Sequence, residues 1–90
     1  MDFEIYIDNA VNEMKRLGYS PNYFIKMRKK YGTKEAIRML IHDPKVQGGF
    51  LKLHELGRPD ITMESIILEE QWIDLFSDDD RKAARNKLRK

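Results

Sequence analysis

The sequence lacks cysteine entirely, and no apolar run in it approaches the length of a membrane span. The absence of cysteine excludes disulfides, cysteine-ligated zinc, iron–sulfur clusters and thiol nucleophiles. A membrane helix requires about 20 consecutive apolar residues, so we expect no membrane partner. The N-terminal segment MDFEIYID carries acidic residues where a secretory signal carries basic ones, which favours a cytoplasmic location.

Glycine and proline are also scarce, with five glycines and three prolines in 90 residues. Between these breaks, apolar residues recur at spacings of three and four, which is the period of an amphipathic helix. No segment alternates for long enough to predict a strand. Hydrophobic residues at 41% and charged residues at 36% suit a small globular domain. We therefore predict an all-α fold, an irregular bundle of five to six short helices that forms a single domain over residues 1–90.

Three helices are predicted in the first half of the chain. The first covers residues 3–17. Ser20 is the expected N-cap of the second helix, and Pro21 is its first residue. Thr33 is the expected N-cap of the third helix, which must end before Pro44 because proline disfavours a helical conformation in the preceding residue.

Residues 48–65, GGFLKLHELGRPDITMES, are predicted to form a corner that joins two helices. Gly49 is expected to relieve backbone strain at the turn into a short helix, and Phe50 to plug the core. Gly57 ends that helix, and Thr62 caps the next one. The predicted corner residues are Gly49, Phe50, Gly57, Arg58, Asp60 and Thr62.

The chain beyond Gly57 is predicted to hold two further helices. Arg58 precedes them, and its guanidinium could clamp Asp60, Glu64 or the region of Asp74. The helix that Thr62 caps carries an apolar face that extends to about Trp72. Ser77 and three consecutive aspartates, which are expected to form solvated faces and caps, begin the last helix.

Charge is strongly segregated along the chain, although the net charge is only +2. Residues 15–38 carry eight bases and one acid, whereas residues 55–80 carry nine acids and one base. The two ends show the same contrast, with four acids in residues 1–14 and six bases in residues 81–90. Such alternation favours acidic helices lying beside basic ones within the molecule.

Residues with catalytic or metal-binding chemistry form no recognisable constellation in the sequence. The pairs His42-Asp43 and His54-Glu55 lack the one-turn spacing that places two metal ligands on one helix face. The serines lie at expected caps or within helices, outside any nucleophile elbow. Gly48-Gly49 is too short for a phosphate-binding loop. We therefore predict a protein that is not an enzyme and binds no metal or other cofactor.

A protein partner, or self-association, is the favoured interpretation of the aromatic residues. Tyr6, Tyr23, Tyr31 and Trp72 exceed what so small a core must hold, and tyrosine, tryptophan and arginine are common interface anchors. The candidate protein-binding residues are Tyr23, Tyr31, Trp72 and Arg58.

The alternative interpretation is weak, salt-dependent nucleic-acid binding through the basic segments. The candidate residues in residues 26–38 are Lys26, Arg28, Lys29, Lys30, Lys34 and Arg38. Further basic residues in the C-terminal segment could add to this patch, namely Arg81, Lys82, Arg85, Lys87, Arg89 and Lys90.

The segments YGTKEAIRMLI, GGFLKLHELGRPDITMESIIL and LFSDDDRKAARNKL hold the most specific pattern in the chain, GF-x2-L-x-ELGR-x-D-x-T-x-E. Through them, residues 19–88 resemble a small helical module of bacterial proteins, often a C-terminal appendage to larger chains. The sequence departs from that module at His54, where tryptophan is usual, and at Pro59, where an aliphatic residue is usual. The resemblance implies a non-enzymatic interaction or regulatory module in a bacterial or phage setting, with residues 2–17 as an additional helix.

Overall fold

A computed structural model describes residues 2–43 and 48–89, which form six α-helices and no strand. The helices are α1 (Phe3–Arg16), α2 (Asn22–Tyr31), α3 (Thr33–His42), α4 (Gly48–Glu55), α5 (Met63–Ile66) and α6 (Asp78–Leu88). Two short 3-10 turns, Pro59–Ile61 and Ile73–Leu75, lie before and after α5. The predicted all-α fold, an irregular bundle of five to six short helices, is confirmed.

The hydrophobic core is one cluster to which each of these helices contributes. Along α1, the inward positions Ile7, Ala10, Val11 and Met14 follow the helical period. They lie in the same cluster as the apolar residues of the later helices. The most completely buried large apolar side chains are Ile7, Ile37, Ile41, Ile66 and Ile67.

The N-termini of α2 and α3 are built differently from the sequence prediction. Pro21 and Gly32 occupy the two N-cap positions, so the predicted capping roles of Ser20 and Thr33 are wrong. The Ser20 hydroxyl donates to the Asn22 side chain at 2.7 Å. Thr33 Oγ1 instead donates to Glu4 Oε1 at 2.5 Å. A charged carboxylate is a stronger acceptor than a neutral group, and it comes from a helix distant in sequence.

Arg28 joins α1, α2 and α3 at one point. Its guanidinium donates to Glu4 Oε1 at 2.8 Å and to Asp8 Oδ1 at 2.7 Å, and its Nε donates to Thr33 Oγ1 at 2.7 Å. The hydrogen bonds from Thr33 and Arg28 lower the pKa of Glu4 below its ordinary value. An acidic helix thus lies beside a basic one here, as the charge segregation predicts.

The end of α4 follows the predicted corner. Gly57 has φ +74°, a left-handed conformation that glycine adopts without steric cost. The backbone N–H of Arg58 donates to the Leu53 carbonyl at 2.8 Å, which completes the C-terminal motif. Thr62 caps α5 by accepting from the Ser65 N–H at 3.1 Å.

Arg58 clamps one of its three predicted partners. Its Nε and Nη2 donate to the two carboxylate oxygens of Asp60, each at 3.1 Å. Glu13 lies 3.7 Å from Nη1, a contact that the sequence prediction missed. The hydrogen bond from Arg58 lowers the pKa of Asp60.

Two expectations about the second half of the chain are wrong. The helix after Thr62 is a single turn, α5, and the chain then continues through turns to Trp72. Trp72 is not an exposed anchor, because only 8% of it is accessible and its ring packs edge-on against Phe3 at 5.1 Å between centroids. Tyr6 contacts the same indole at 5.3 Å.

Candidate functional site

An apolar cleft of about 550 Å³ opens where the end of α1 and the start of α2 face α4 and α5. Its volume lies within the range of about 300–1,000 Å³ that is typical of ligand pockets. The cleft is lined by Met14, Tyr19, Pro21, Tyr23, Phe24, Leu40, Gly49, Phe50, Lys52, Leu53, Thr62, Met63 and Glu64.

Gly49 brings α4 close to Tyr19 at one wall of the cleft. A Cβ atom added at Gly49 would lie 2.4 Å from the Tyr19 hydroxyl oxygen and 3.2 Å from the ring carbon that bears it. Gly49 lies within α4 and has no positive φ, so the predicted strain-relieving turn is wrong for it. The glycine instead permits a close approach of the Tyr19 side chain to the backbone. Burial raises the pKa of the Tyr19 hydroxyl.

We expect Gly49→Ala to destabilise the protein by about 1 kcal/mol, although alanine normally stabilises a helix relative to glycine by up to about 1 kcal/mol. The new methyl group displaces the Tyr19 ring. In a Tyr19→Phe background the hydroxyl is absent, so the same substitution should cost clearly less. Urea denaturation of the four proteins of this double-mutant cycle measures the coupling. Equal effects of Gly49→Ala in both backgrounds would contradict the contact.

A buried ion pair lies against the inner end of the cleft. Glu64 and Lys87 are only 5% and 9% exposed, and Lys87 Nζ lies 3.3 Å from Glu64 Oε2. Lys87 also donates to the Leu40 carbonyl at 2.7 Å. That carbonyl is in the last turn of α3, and the residue four positions later is Pro44, which has no N–H to offer it.

The rim of the cleft carries one of the predicted protein-binding residues. Tyr23 is 53% exposed and lines the cleft, whereas Tyr31, at the far end of α2, is similarly exposed and lies outside it.

Phe50 is only half-buried, so its predicted role as a core plug is wrong. Its ring instead lines the cleft and packs on His54 at 4.3 Å between centroids. Arg58 lies in a separate, smaller depression of about 350 Å³.

The candidate nucleic-acid-binding residues divide into two groups. The guanidiniums of Arg28 and Arg38 form ion pairs with carboxylates of other helices. The prediction that these two arginines are free to bind phosphate is therefore wrong. Lys26, Lys29, Lys30 and Lys34 are exposed. Within the described ranges, none of these four lysines forms an ion pair.

The C-terminal basic residues divide in the same way. Arg81 donates to the Ile73 carbonyl at 2.6 Å and also to the Phe76 carbonyl, and Lys87 is buried. Both are therefore structural. The exposed bases of α6 and its end are Lys82, Arg85 and Arg89, while Lys90 lies outside the described residues.

Asp80 is buried rather than solvated as the sequence prediction had it. It is 1% exposed and accepts from His42 Nε2 at 2.7 Å, from Arg38 Nε at 3.1 Å and from the Ser77 N–H at 3.2 Å. Ser77 Oγ accepts from the Asp80 N–H in return, which forms a capping box at the start of α6. Burial opposes ionisation of Asp80, but the hydrogen bonds from His42, Ser77 and Arg38 outweigh it and lower its pKa to about 2.

In the described part of the chain, no group of three or more metal-ligating side chains converges on one point. His54 is exposed, and its Nδ1 lies 2.9 Å from the Phe50 carbonyl. No helix within residues 2–43 or 48–89 has the length and hydrophobicity needed to cross a bilayer.

The sequence prediction missed most of the cleft. Tyr19, Lys52 and Glu64 were not candidates, because no local pattern shows that they face one space. The glycine pair at 48 and 49 was the available signal, since glycine within a helix often marks a close approach of another group.

The structure thus defines a small all-α bundle with an apolar cleft on one side. No family model, curated protein or solved structure matches the chain.

Proposed function

We propose that the protein is a non-enzymatic interaction module that binds apolar side chains of a partner protein in the cleft. The observation that carries this proposal is the cleft itself, which is apolar, open to solvent and bordered by the exposed ring of Tyr23. Tyrosine at the edge of an apolar pocket supplies contact area at a low cost in conformational entropy. In line with the module that residues 19–88 resemble, we propose that the protein acts in a bacterial or phage setting, within the cytoplasm of the bacterial cell.

The two buried polar residues of the cleft lining support binding rather than catalysis. Glu64 is paired with Lys87, and Thr62 caps α5, so both are committed to the fold. A general acid or base needs a free proton-transfer position beside the substrate.

The size of the cleft indicates more than one anchor side chain. A cavity of about 150 Å³ already holds a benzene-sized ring, so about 550 Å³ has room for two anchors. One buried aromatic anchor contributes about 4–6 kcal/mol before costs, from about 150–250 Å² at about 25 cal/mol per Å². Association itself costs at least about 4 kcal/mol, so one anchor alone gives negligible affinity.

Selection of displayed random peptides against the immobilised chain tests this function. We expect the enriched peptides to share large apolar residues. Tyr23→Ala should weaken a selected peptide at least about tenfold, because the rim residue loses its contact area. Binding is measured by isothermal titration calorimetry.

Tyr31→Ala is the matched control for this experiment. The residue is 48% exposed, close to the 53% of Tyr23, and lies on the same helix but outside the cleft. Its replacement should change affinity by less than about twofold, since surface contacts away from a hot spot contribute little. Equal losses in both variants, or no enrichment of apolar residues, would refute the cleft as the binding site.

Nucleic-acid binding is the second candidate function. It is favoured by Lys26, Lys29, Lys30 and Lys34, which are exposed and without ion pairs in the described structure. Loss of Arg28 and Arg38 to internal ion pairs leaves a smaller patch, with four lysines in place of six cations. The oligonucleotide arm of the experiment below tests this candidate.

A further inference from the structure

We propose that the partner segment is an acidic amphipathic helix, whose apolar anchors enter the cleft while its carboxylates contact lysines at the rim. This inference rests on the proposed function and names the chemistry of the partner. It is drawn from the arrangement of charge around the cleft.

The first row of charge lies on α2. With 3.6 residues per turn, Lys26 and Lys30 lie within roughly 60° and 20° of Tyr23 around the helix axis. At 1.5 Å per residue, Lys30 lies about 10 Å along the axis from Tyr23. Both lysines are exposed. The helix side that begins at the rim of the cleft therefore continues as a basic strip.

Lys52 of α4 adds a positive charge on another side of the cleft. Lys52 lines the cleft and is exposed, and its Nζ lies 4.0 Å from Glu55 Oε2. Both side chains of that pair are largely solvated, so the contact is weak and a partner carboxylate can replace it. Lys52 thus borders the cleft on α4, and Lys26 and Lys30 carry the positive charge onward from its rim along α2.

Negative charge in the cleft lining is neutralised. Glu64 is the carboxylate among the lining residues, and it is paired with Lys87. An acidic segment therefore meets exposed lysines at and beside the rim without facing an unpaired carboxylate of the lining. This complementarity favours an acidic protein segment over a basic one.

An amphipathic helix matches both the anchors and the charges. Side chains at positions i and i+4 of a helix lie on one face and can fill a groove together, while the flanking positions point to its rim. A nucleic acid would present phosphates to the lysines but has no aliphatic or benzyl group for the cleft. The apolar lining therefore favours protein over nucleic acid.

Fluorescence polarisation with three designed helical peptides tests the inference. Each has roughly 15 residues and the same phenylalanine and leucine anchors at i and i+4, with Glu, Gln or Lys at the flanking positions. We expect the Glu peptide to bind about tenfold more tightly than the Gln peptide, because three exposed ion pairs add modest increments. The advantage should shrink when salt is raised from low to physiological concentration.

Variants of α2 locate the charge preference. Lys26→Glu combined with Lys30→Glu should abolish the advantage of the Glu peptide and shift preference to the Lys peptide. The matched control is Lys29→Glu, because this exposed residue projects roughly 120° away from Tyr23 around the helix. We expect Lys29→Glu to change the affinity for the Glu peptide by less than about twofold. A loss as large as that of the double variant would show that binding does not depend on which side of α2 the lysine occupies.

The remaining outcomes distinguish the inference of an acidic partner helix from the proposed protein-binding function on which it rests. Equal binding of the Glu and Gln peptides would overturn the acidic partner while leaving the cleft as a protein-binding site. Failure of all three peptides would overturn both. A single-stranded or duplex DNA oligonucleotide that binds tightly, with no change on Tyr23→Ala, would overturn the inference in favour of nucleic acid. A dimer in sedimentation that Tyr23→Ala dissociates would overturn it in favour of a second copy.

Discussion

Asp80→Ala is expected to lower the free energy of unfolding by about 2–3 kcal/mol. The substitution removes a carboxylate that is 1% exposed and accepts from His42, Arg38 and the Ser77 N–H. Hydrogen bonds to a charged group contribute about 1.5–3 kcal/mol each, and the substitution also removes the Asp80 side chain from the capping box at the start of α6. The expected loss is smaller than the sum of these contributions, because the side chains of His42 and Arg38 are 41% and 42% exposed. Water can therefore hydrogen-bond to them once the carboxylate is removed.

Thermal unfolding followed by circular dichroism measures this effect. In a domain of this size, 2–3 kcal/mol corresponds to a Tm lower by about 10–20 °C. Asp79→Ala is the matched control, since this neighbouring aspartate is exposed and shares only the favourable interaction with the helix dipole. It should cost less than about 1 kcal/mol. Similar losses in the two variants would show that Asp80 acts through the dipole alone.

The dependence on pH gives an independent check of Asp80. Its pKa is about 2 in the folded protein and about 3.9 in an unfolded chain, so its stabilising effect is present above pH 4. The effect is lost as the pH falls from about 4 to about 2, because protonation then becomes linked to unfolding. The difference in stability between wild type and Asp80→Ala should shrink by about 2 kcal/mol over that interval. A difference that is constant with pH would contradict the ionised, hydrogen-bonded Asp80.

Lys87→Met is expected to be the most damaging single substitution, with a loss of about 3–5 kcal/mol. Both members of the Glu64–Lys87 pair are buried, so the Glu64 carboxylate would be left in an apolar environment without its cation. The Leu40 carbonyl would also lose its donor. A domain of 90 residues has about 5–13 kcal/mol of stability, so this loss removes a large share of it, and the variant should unfold at a much lower temperature than the wild type.

A double variant distinguishes the loss of the ion pair from the loss of the lysine side chain itself. Glu64→Leu combined with Lys87→Met replaces both charges with apolar groups of similar size, which is often neutral or stabilising at a buried ion pair. We expect it to recover most of the lost stability, with an incomplete return because the Leu40 carbonyl still lacks a donor. Urea denaturation of the wild type and three variants gives the coupling energy. A loss below about 1 kcal/mol for Lys87→Met would show that water reaches Glu64.

The Asp78–Asp80 segment shows what a local sequence pattern can predict and what it cannot. A serine followed by aspartates predicts a helix N-terminus, and α6 begins at Asp78. Three consecutive aspartates are alike in sequence, yet Asp80 alone is buried. It faces α3, from which Arg38 and His42 reach it, and no local pattern specifies which helix lies opposite.

The cleft was unpredictable for the same reason. Tyr19, Gly49 and Glu64 come from segments at least fifteen residues apart. Each was interpreted by its neighbours in the chain, so Gly49 was predicted to be a turn residue. Contact with the Tyr19 ring, which explains the glycine, arises only after α4 packs beside the end of α1.

By itself, the sequence determined the all-α class, the short helices and several of their ends. Those features depend on interactions within a few residues: the apolar period, the left-handed Gly57, and the caps at Thr62 and Ser77. Only the tertiary structure decided which charges are buried, which aromatics are exposed and where an apolar cleft opens. Trp72 went into the core and Tyr23 to the rim of the cleft because burial depends on the helices that face a residue.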